Sequence, residues 1–461
     1  MKFVKTAVAG ALALGLTAMP TNAETIEEEA TGWLQEYLRV DTINPPGNET
    51  NAVNFFAAIL EAEGIPYETV ESAPGRGNIW ARLEGGDKPA LALTQHTDVV
   101  PADMEYWTVD PLSGELKDGY LYGRGAIDMK GGGMTQFAAF IALHRAGIPL
   151  NRDVLFVATA DEEAGGLFGA GWLIENMPEI FEGVGTLLNE SGSGTLSEDG
   201  SIVFDIEVTQ KVPVWIRLSA VDTPGHGSTP RTTSAATRIL DALQAIRENP
   251  FPPRIVPAVD HFFKGLAETV DEEYAVDYRD MAEAIKKEGY LPELQAESPW
   301  LHALTRDTCS ITRFDASNKI NVVSPAAWAE VDCRMLPDRP AAEFIADMRS
   351  LIEATGVELE VIMAFSPAVS STDDILYQSM ETVLGERYPD AKIIAGVSTG
   401  FTDSHFFRDL GIPSFGFTPT IFEEELYTGV HGNDERIKVD AYQQGVTDLI
   451  DILELVVYDQ E

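Results

Sequence analysis

Between residues 78 and 188, apolar runs of strand length alternate with amphipathic helical segments, and this alternation restricts the possible folds more than any other feature. Strands are read at 78–83, 90–94, 153–159 and 184–188, and helices at 129–146 and 168–176, preceded by helices at 26–38 and 51–63. Each such element has to bury one face against another, so the pattern predicts an α/β fold, a mixed and mainly parallel sheet between helical layers.

Near residue 212 the pattern changes. Strands at 214–221, 308–314, 328–335 and 357–364, with helices at 233–247 and 341–354, give a β-α-β-β-α-β order, that of a ferredoxin-like α+β unit, with a mostly helical insertion at 249–305. The α/β pattern resumes with a helix at 373–388 and closes with one at 439–457. The expected division is therefore a catalytic domain made of 24–211 and 366–461, interrupted by an inserted domain at 212–365.

Residues 1–23 stand apart. Lys2 and Lys5 precede an apolar run that ends in Met-Pro-Thr-Asn-Ala, the pattern of a secretory signal cleaved after Ala23. The run is too short to span a bilayer, so the expectation is a periplasmic or secreted protein. Thirty-two basic against 74 acidic residues leave a formal charge of −42, which repels nucleic acid and anionic membranes and suits a solvated surface in saline surroundings. Cys309 and Cys333 are compatible with an oxidising compartment, where they could pair across neighbouring strands.

The candidate ligands fall where open α/β sheets place their sites, at the carboxyl ends of strands. His96 and Asp98 close the run at 90–94 and, two residues apart, can face one object. Asp128 ends a glycine-rich turn, Gly123-Arg124-Gly125-Ala126-Ile127-Asp128, just before a helix, where it could cap the helix, bridge two metals, or both. Glu162 and Glu163 follow the strand at 153–159 with diverging side chains, so that one can hold a metal while the other accepts a proton from metal-bound water. Glu190 follows another strand and His431 precedes the last helix. Two histidines and three carboxylates suit Zn²⁺ better than Mg²⁺. His226, between Gly225 and Gly227, could serve as a turn residue or donate to the oxyanion of a tetrahedral intermediate. His144, His261, His302 and His405 read as structural or surface residues.

Taken together, His96-x-Asp98, Gly123-Arg124-Gly125-x-x-Asp128-x-Lys130-Gly131, Glu162-Glu163, Glu190-x-Gly192, Gly225-His226-Gly227-Ser228 and His431-x-x-x-Glu435 resemble the zinc metallopeptidase family of aminoacylase, glutamate carboxypeptidase, carboxypeptidase S and succinyl-diaminopimelate desuccinylase. Trp107, Asp110-Pro111, Asn321-Val322-Val323, Arg334 and Thr402-Asp403 add to the likeness. The resemblance implies two zinc ions per subunit: His96 and Glu163 complete separate shells, Asp128 bridges, and Glu190 and His431 supply the remaining ligands. It also implies that Asp98 orients His96 and that Glu162 is the general base. Asn321, Arg334, Ser398 and Gly400 would bind substrate, although Gln95 stands where the family has glycine and Ser398-Thr399-Gly400 matches its substrate loop only loosely. The inserted domain would be a lid and homodimer contact that carries His226 to the partner's site. The implied reaction is cleavage of the amide of an N-acyl amino acid or short peptide bearing a free carboxylate. The alternatives are an esterase or lactamase on the same site, or a non-catalytic solute- or metal-binding protein.

Overall fold

A computed structural model describes residues 24–423 and 429–459; the signal-peptide reading lies outside the described residues. Among those residues no helix is long and apolar enough to cross a membrane. The larger sheet has eight strands in the order Tyr67–Ala73, Arg76–Leu83, Arg152–Thr159, Lys88–His96, Val184–Leu196, Ser414–Glu423, Ile202–Gln210 and Lys392–Ser398. Four of its seven neighbouring pairs are parallel and three antiparallel, so it is mixed and mainly parallel as expected.

Both faces of this sheet are covered because its central strands are apolar on both sides. Leu91 and Leu93 join Phe56, Phe137, Phe156 and Tyr442 in a core under the helices Ile26–Tyr37, Thr50–Glu63, Lys130–Ala146 and Val439–Val457. Ala92, one residue out of phase, packs with Trp80, Leu155, Leu173 and Phe407 under the helices Ala170–Asn176 and Ser404–Asp409. The first turn of the helix Lys130–Ala146 carries three glycines, Gly131 to Gly133, where a side chain would meet close neighbours. A Cβ on Gly131 would lie 2.2 Å from the Ala126 carbonyl oxygen, and one on Gly133 would lie 1.7 Å from Gln95 Oε1.

The second sheet is fully antiparallel, in the order Thr308–Asp315, Ala326–Met335, Val212–Val221 and Glu358–Ala364. Its apolar face, Val214, Ile216, Leu218 and Val331, packs on Ile239 and Leu243 of the helix Ala235–Glu248 and on Phe344 and Met348 of the helix Ala341–Ile352. Cys309 and Cys333 are direct partners in its register and form a disulfide. The short helices between residues 257 and 303 do not extend this unit. Their core, with Val259, Phe262, Phe263 and Leu301, closes on Ile394 and Val397, covering the outermost strand of the larger sheet.

The sequence reading missed several strands of the larger sheet, for identifiable reasons. Tyr67–Ala73 is a polar edge strand. Ile202–Gln210 carries the half-buried Asp205 and the buried Glu207, which break its apolar run; Arg408 Nη2 neutralises Glu207 from 2.7 Å.

Candidate active site

Five separate segments deliver the polar cluster, His431 from the turn before the last helix. His96 is the last residue of its strand, and Glu162 and Glu163 open a short 3₁₀ turn beyond the strand Arg152–Thr159. Glu190 lies within the strand Val184–Leu196, at a bend where Ser191 takes a φ of 128°, rather than beyond its end as the sequence suggested. Asp128 ends the loop from Tyr120–Tyr122 to the helix Lys130–Ala146. It is not the cap of that helix, whose N-cap is Met129 without a side-chain bond. The Asp128 carboxylate faces two histidines instead.

These side chains make two overlapping donor sets. His96 Nε2 lies 3.1 Å from Asp128 Oδ1 and 3.2 Å from Glu190 Oε2. His431 Nε2 lies 3.1 Å from Asp128 Oδ2 and 3.2 Å from Glu163 Oε2. Within each triad every donor atom is within 4.8 Å of the others, and Asp128 gives one oxygen to each. Glu162 stands just outside, its Oε2 4.0 Å from His96 Nε2. One imidazole nitrogen and two carboxylate oxygens per triad, with a shared carboxylate between them, fit a pair of divalent cations that each keep an open position.

The electrostatics agree with that fit. Burial, reinforced by the charge of Glu190, pushes the Glu162 carboxyl well above its ordinary range. Burial also raises Glu163, and raises Glu190 to about 7 against the pull of His96. Burial opposes protonation of His96, but Glu190, Asp128 and Asp98 outweigh it and hold the imidazole well above its usual value. Hydrogen bonds donated to the Asp128 and Glu163 carboxylates lift His431 to about 10. Carboxylates crowded together with protonated imidazoles mark a place built for positive charge.

Asp98 is a hub. Its carboxylate accepts bonds from the main-chain N–H groups of Glu162 at 3.1 Å and Glu163 at 3.2 Å, and from Asn44 Nδ2 at 2.8 Å. The partner nearest His96 Nδ1 is the Asp98 main-chain carbonyl at 3.0 Å, while the carboxylate expected to orient that ring is 3.5 Å away. Glu435 plays the corresponding part for Asp128. It accepts bonds from the main-chain N–H groups of Gly125, Ile127 and Asp128 and from Arg124 Nη1, all within 3.0 Å, and so fixes the glycine-rich loop.

Ser398 and Gly400 line a cavity of about 280 Å³ together with Asp128 and Glu190. The other three expected residues are not brought into the cluster. His226 is exposed, its Nδ1 bonded to Ser228, and its two-residue strand pairs with Val322–Val323. The Asn321 carbonyl accepts a bond from the Gly227 N–H. Arg334 is clasped by Asp332 at 2.7 and 3.1 Å, with Nη1 unpartnered. His405, read from sequence as structural or surface, is buried between Phe365 and Phe401.

Residues 92–454 match peptidase family M20/M25/M40. The chain belongs to this family. It is a hydrolase of the metallopeptidase and amidohydrolase kind, and the family is metal-dependent. Among curated relatives, an N-fatty-acyl-amino acid synthase/hydrolase of Homo sapiens is 28% identical over 431 residues, covering 88% of this chain and 81% of the relative. Aminoacylase-1 of Sus scrofa is 26% identical over 432 residues, covering 91% and 93%. Among solved structures, an M20 family metallo-carboxypeptidase from Sulfolobus solfataricus superposes with a TM-score of 0.70 at 20% identity, covering 93% of this chain and 99% of that one.

Two groups in this M20/M25/M40 peptidase were not among the expected site residues. Asp403 is buried beside the cluster, accepts a bond from Thr159 Oγ1 at 2.9 Å, and is pushed by burial up to about 8. In sequence, Thr402-Asp403 adds only to the family likeness. Arg76 grips Asp161, immediately before the glutamate pair, and carries no local sequence signal beyond a strand start.

Proposed function

We propose that this M20/M25/M40 peptidase is an exported di-zinc amidohydrolase that splits the amide of an N-acyl amino acid, or of a short peptide, with a free carboxylate. The observation that carries the proposal is the pair of triads sharing Asp128, with the buried Glu162 carboxylate one step outside them. His96, Asp128 and Glu190 would hold one zinc, and Asp128, Glu163 and His431 the other. Zinc, when bound, supplies the positive charge that lowers the pKa of water to about 7 and polarises a carbonyl.

The chain's own residues do the rest. Glu162 takes a proton from the attacking water as its oxygen bonds to the acyl carbon, then hands that proton to the nitrogen as the carbon–nitrogen bond breaks, leaving a carboxylic acid and an amine. Asp98 fixes the Glu162 and Glu163 main chain during the transfer. Arg334, with Nη1 unpartnered, is the group for the substrate carboxylate. The names of the human and porcine relatives support N-acyl amino acids as substrates.

Export is supported by the pattern of residues 1–23 and by the Cys309–Cys333 disulfide, and points to a periplasmic or secreted enzyme. Exposed Ile311, Phe314, Ile320 and Val322 around the second sheet support a homodimer through that unit, with His226 acting across the interface. Purified mature protein, stripped of metal and then restored with zinc, should release free amino acid from N-acyl amino acids only after restoration. Silence toward N-acyl amino acids and dipeptides alike, with two zincs bound, would sink the proposal.

A further inference from the structure

We infer that the cavity beside Asp128 and Glu190 selects an uncharged, apolar acyl group and rejects both dicarboxylic acyl groups and the free ammonium of a peptide, an inference that rests on the amidohydrolase reading above. Its walls include Ile127, Met129, Phe401, Phe422 and Val430. No lysine, arginine or histidine lines it among the described residues. Cations off this wall are committed elsewhere: Lys211 Nζ donates to the carbonyls of Ala303 and Arg306 and to Thr308 Oγ1, and Arg334, held by Asp332, is taken by the amino-acid carboxylate in the reading above. A second carboxylate on the acyl group would therefore be buried without a partner.

A peptide's ammonium fares no better. Among the described residues the carboxylates on the cavity wall are Asp128 and Glu190, both members of the proposed metal triads. Two of the hydroxyls that line it already accept bonds. Ser398 Oγ accepts the Gly400 N–H, and Thr402 Oγ1 accepts Gln210 Nε2 and the Ser404 N–H. An acyl chain needs none of these bonds and gains from the aromatic and aliphatic wall.

Size sets the range. The cavity measures about 280 Å³. Taking a methylene as roughly the ~30 Å³ that a water molecule occupies in the liquid, it holds about nine heavy atoms. The class favoured is thus a medium-chain or small aromatic acyl group. A buried methylene is worth about a fourfold gain in kcat/KM, which accumulates up to that length and then stops.

The test uses the zinc-loaded wild-type protein and one amino acid carrying acyl groups from acetyl to dodecanoyl, with N-succinyl and N-glutaryl forms and the matching dipeptides as comparators. The expected result is a climb in kcat/KM of about fourfold per carbon to about octanoyl, then a plateau, with succinyl and dipeptide substrates about 100-fold or more below the plateau. Inhibition by the free carboxylic acids should follow the same length dependence, a readout independent of turnover. Phe422→Ala should move the plateau to longer chains, and the wild-type series stands whether or not that variant folds. A flat or falling series, or a preference for succinyl or dipeptide substrates, overturns the inference while leaving an amidohydrolase. No amide turnover at all, with zinc bound, removes the amidohydrolase reading and this inference with it.

Discussion

Arg76 and Asp161 are joined inside the protein, Nη2 to Oδ1 at 2.5 Å, and the same guanidinium nitrogen meets Glu49 Oε1 at 2.8 Å, with all three side chains less than a tenth exposed. Asp161 takes a left-handed φ of 72° and directly precedes Glu162 and Glu163, so its conformation aims both glutamates. Its other oxygen accepts the Phe168 N–H at 3.0 Å, closing the turn from the far side. Arg76→Met should cost about 3–5 kcal/mol of stability, because it leaves two buried carboxylates without their cation. It should lower kcat more than it changes KM, and Arg76→Lys should recover part of the stability but less of kcat, since the fork geometry is lost. Chemical denaturation beside steady-state kinetics checks this; unchanged stability in Arg76→Met would refute the clamp.

Glu162→Gln preserves shape and the main-chain bonds to Asp98 but cannot accept a proton. Turnover should fall on the order of 10²-fold or more while zinc content stays at the wild-type level. Glu163→Gln should instead lower zinc content, because Glu163 belongs to the His431 triad. Metal analysis of the two variants side by side separates the roles, and near-normal turnover in metal-loaded Glu162→Gln would remove the general base.

Much of this site was legible in the sequence because most of the cluster residues end a strand or a glycine turn, positions that local pattern reveals. His96, Asp128, Glu162 and Glu163 all follow that rule. Glu190 departs from it because the strand Val184–Leu196 continues through the site, pairing with Ile202–Gln210 beyond the bend. The support behind the site was not legible. Asn44, Arg76 and Glu435 come from distant segments, and their roles exist only once the sheet brings them together. The register that pairs Cys309 with Cys333 is likewise a product of the folded antiparallel sheet, since neither residue marks it locally.

His226 hydrogen-bonds with Ser228 and is not brought into the cluster of its own chain, so the catalytic role proposed for it rests on the proposed homodimer. His226→Ala should lose most of its kcat with zinc content intact, and Glu162→Ala should be inactive on its own. Mixed and allowed to exchange subunits, the two inactive variants should form heterodimers with one complete site and regain a measurable share of wild-type activity. Phe314→Glu, which puts charge on the exposed apolar edge of the second sheet, should weaken the dimer in sedimentation and lower activity in parallel. Proven exchange without recovery would count against a crossing histidine.

Protons and the proposed zinc ions would compete for the same atoms, and the sign of the competition follows from the raised pKa values. Without metal, Glu190 keeps its proton up to about 7 in the folded protein, against an ordinary value of 4.5, and His431 keeps one up to about 10, against 6.5. In both windows the folded state binds more protons than the unfolded chain, so stability falls as pH rises, first between about 4.5 and 7 and then between about 6.5 and 10. Asp128 acts oppositely, but only at the acid end, where its carboxyl is held well below the usual range despite burial by His431 and His96. The proposed zinc ions would replace the lost protons, so their stabilising effect should grow with pH. Thermal denaturation of the metal-free and zinc-restored protein at pH 5, 7 and 9 should show the smallest gap at pH 5 and the largest at pH 9. In His431→Ala the alkaline part of that widening should shrink, and a gap independent of pH in the wild-type protein would mean that these side chains do not bind the metal.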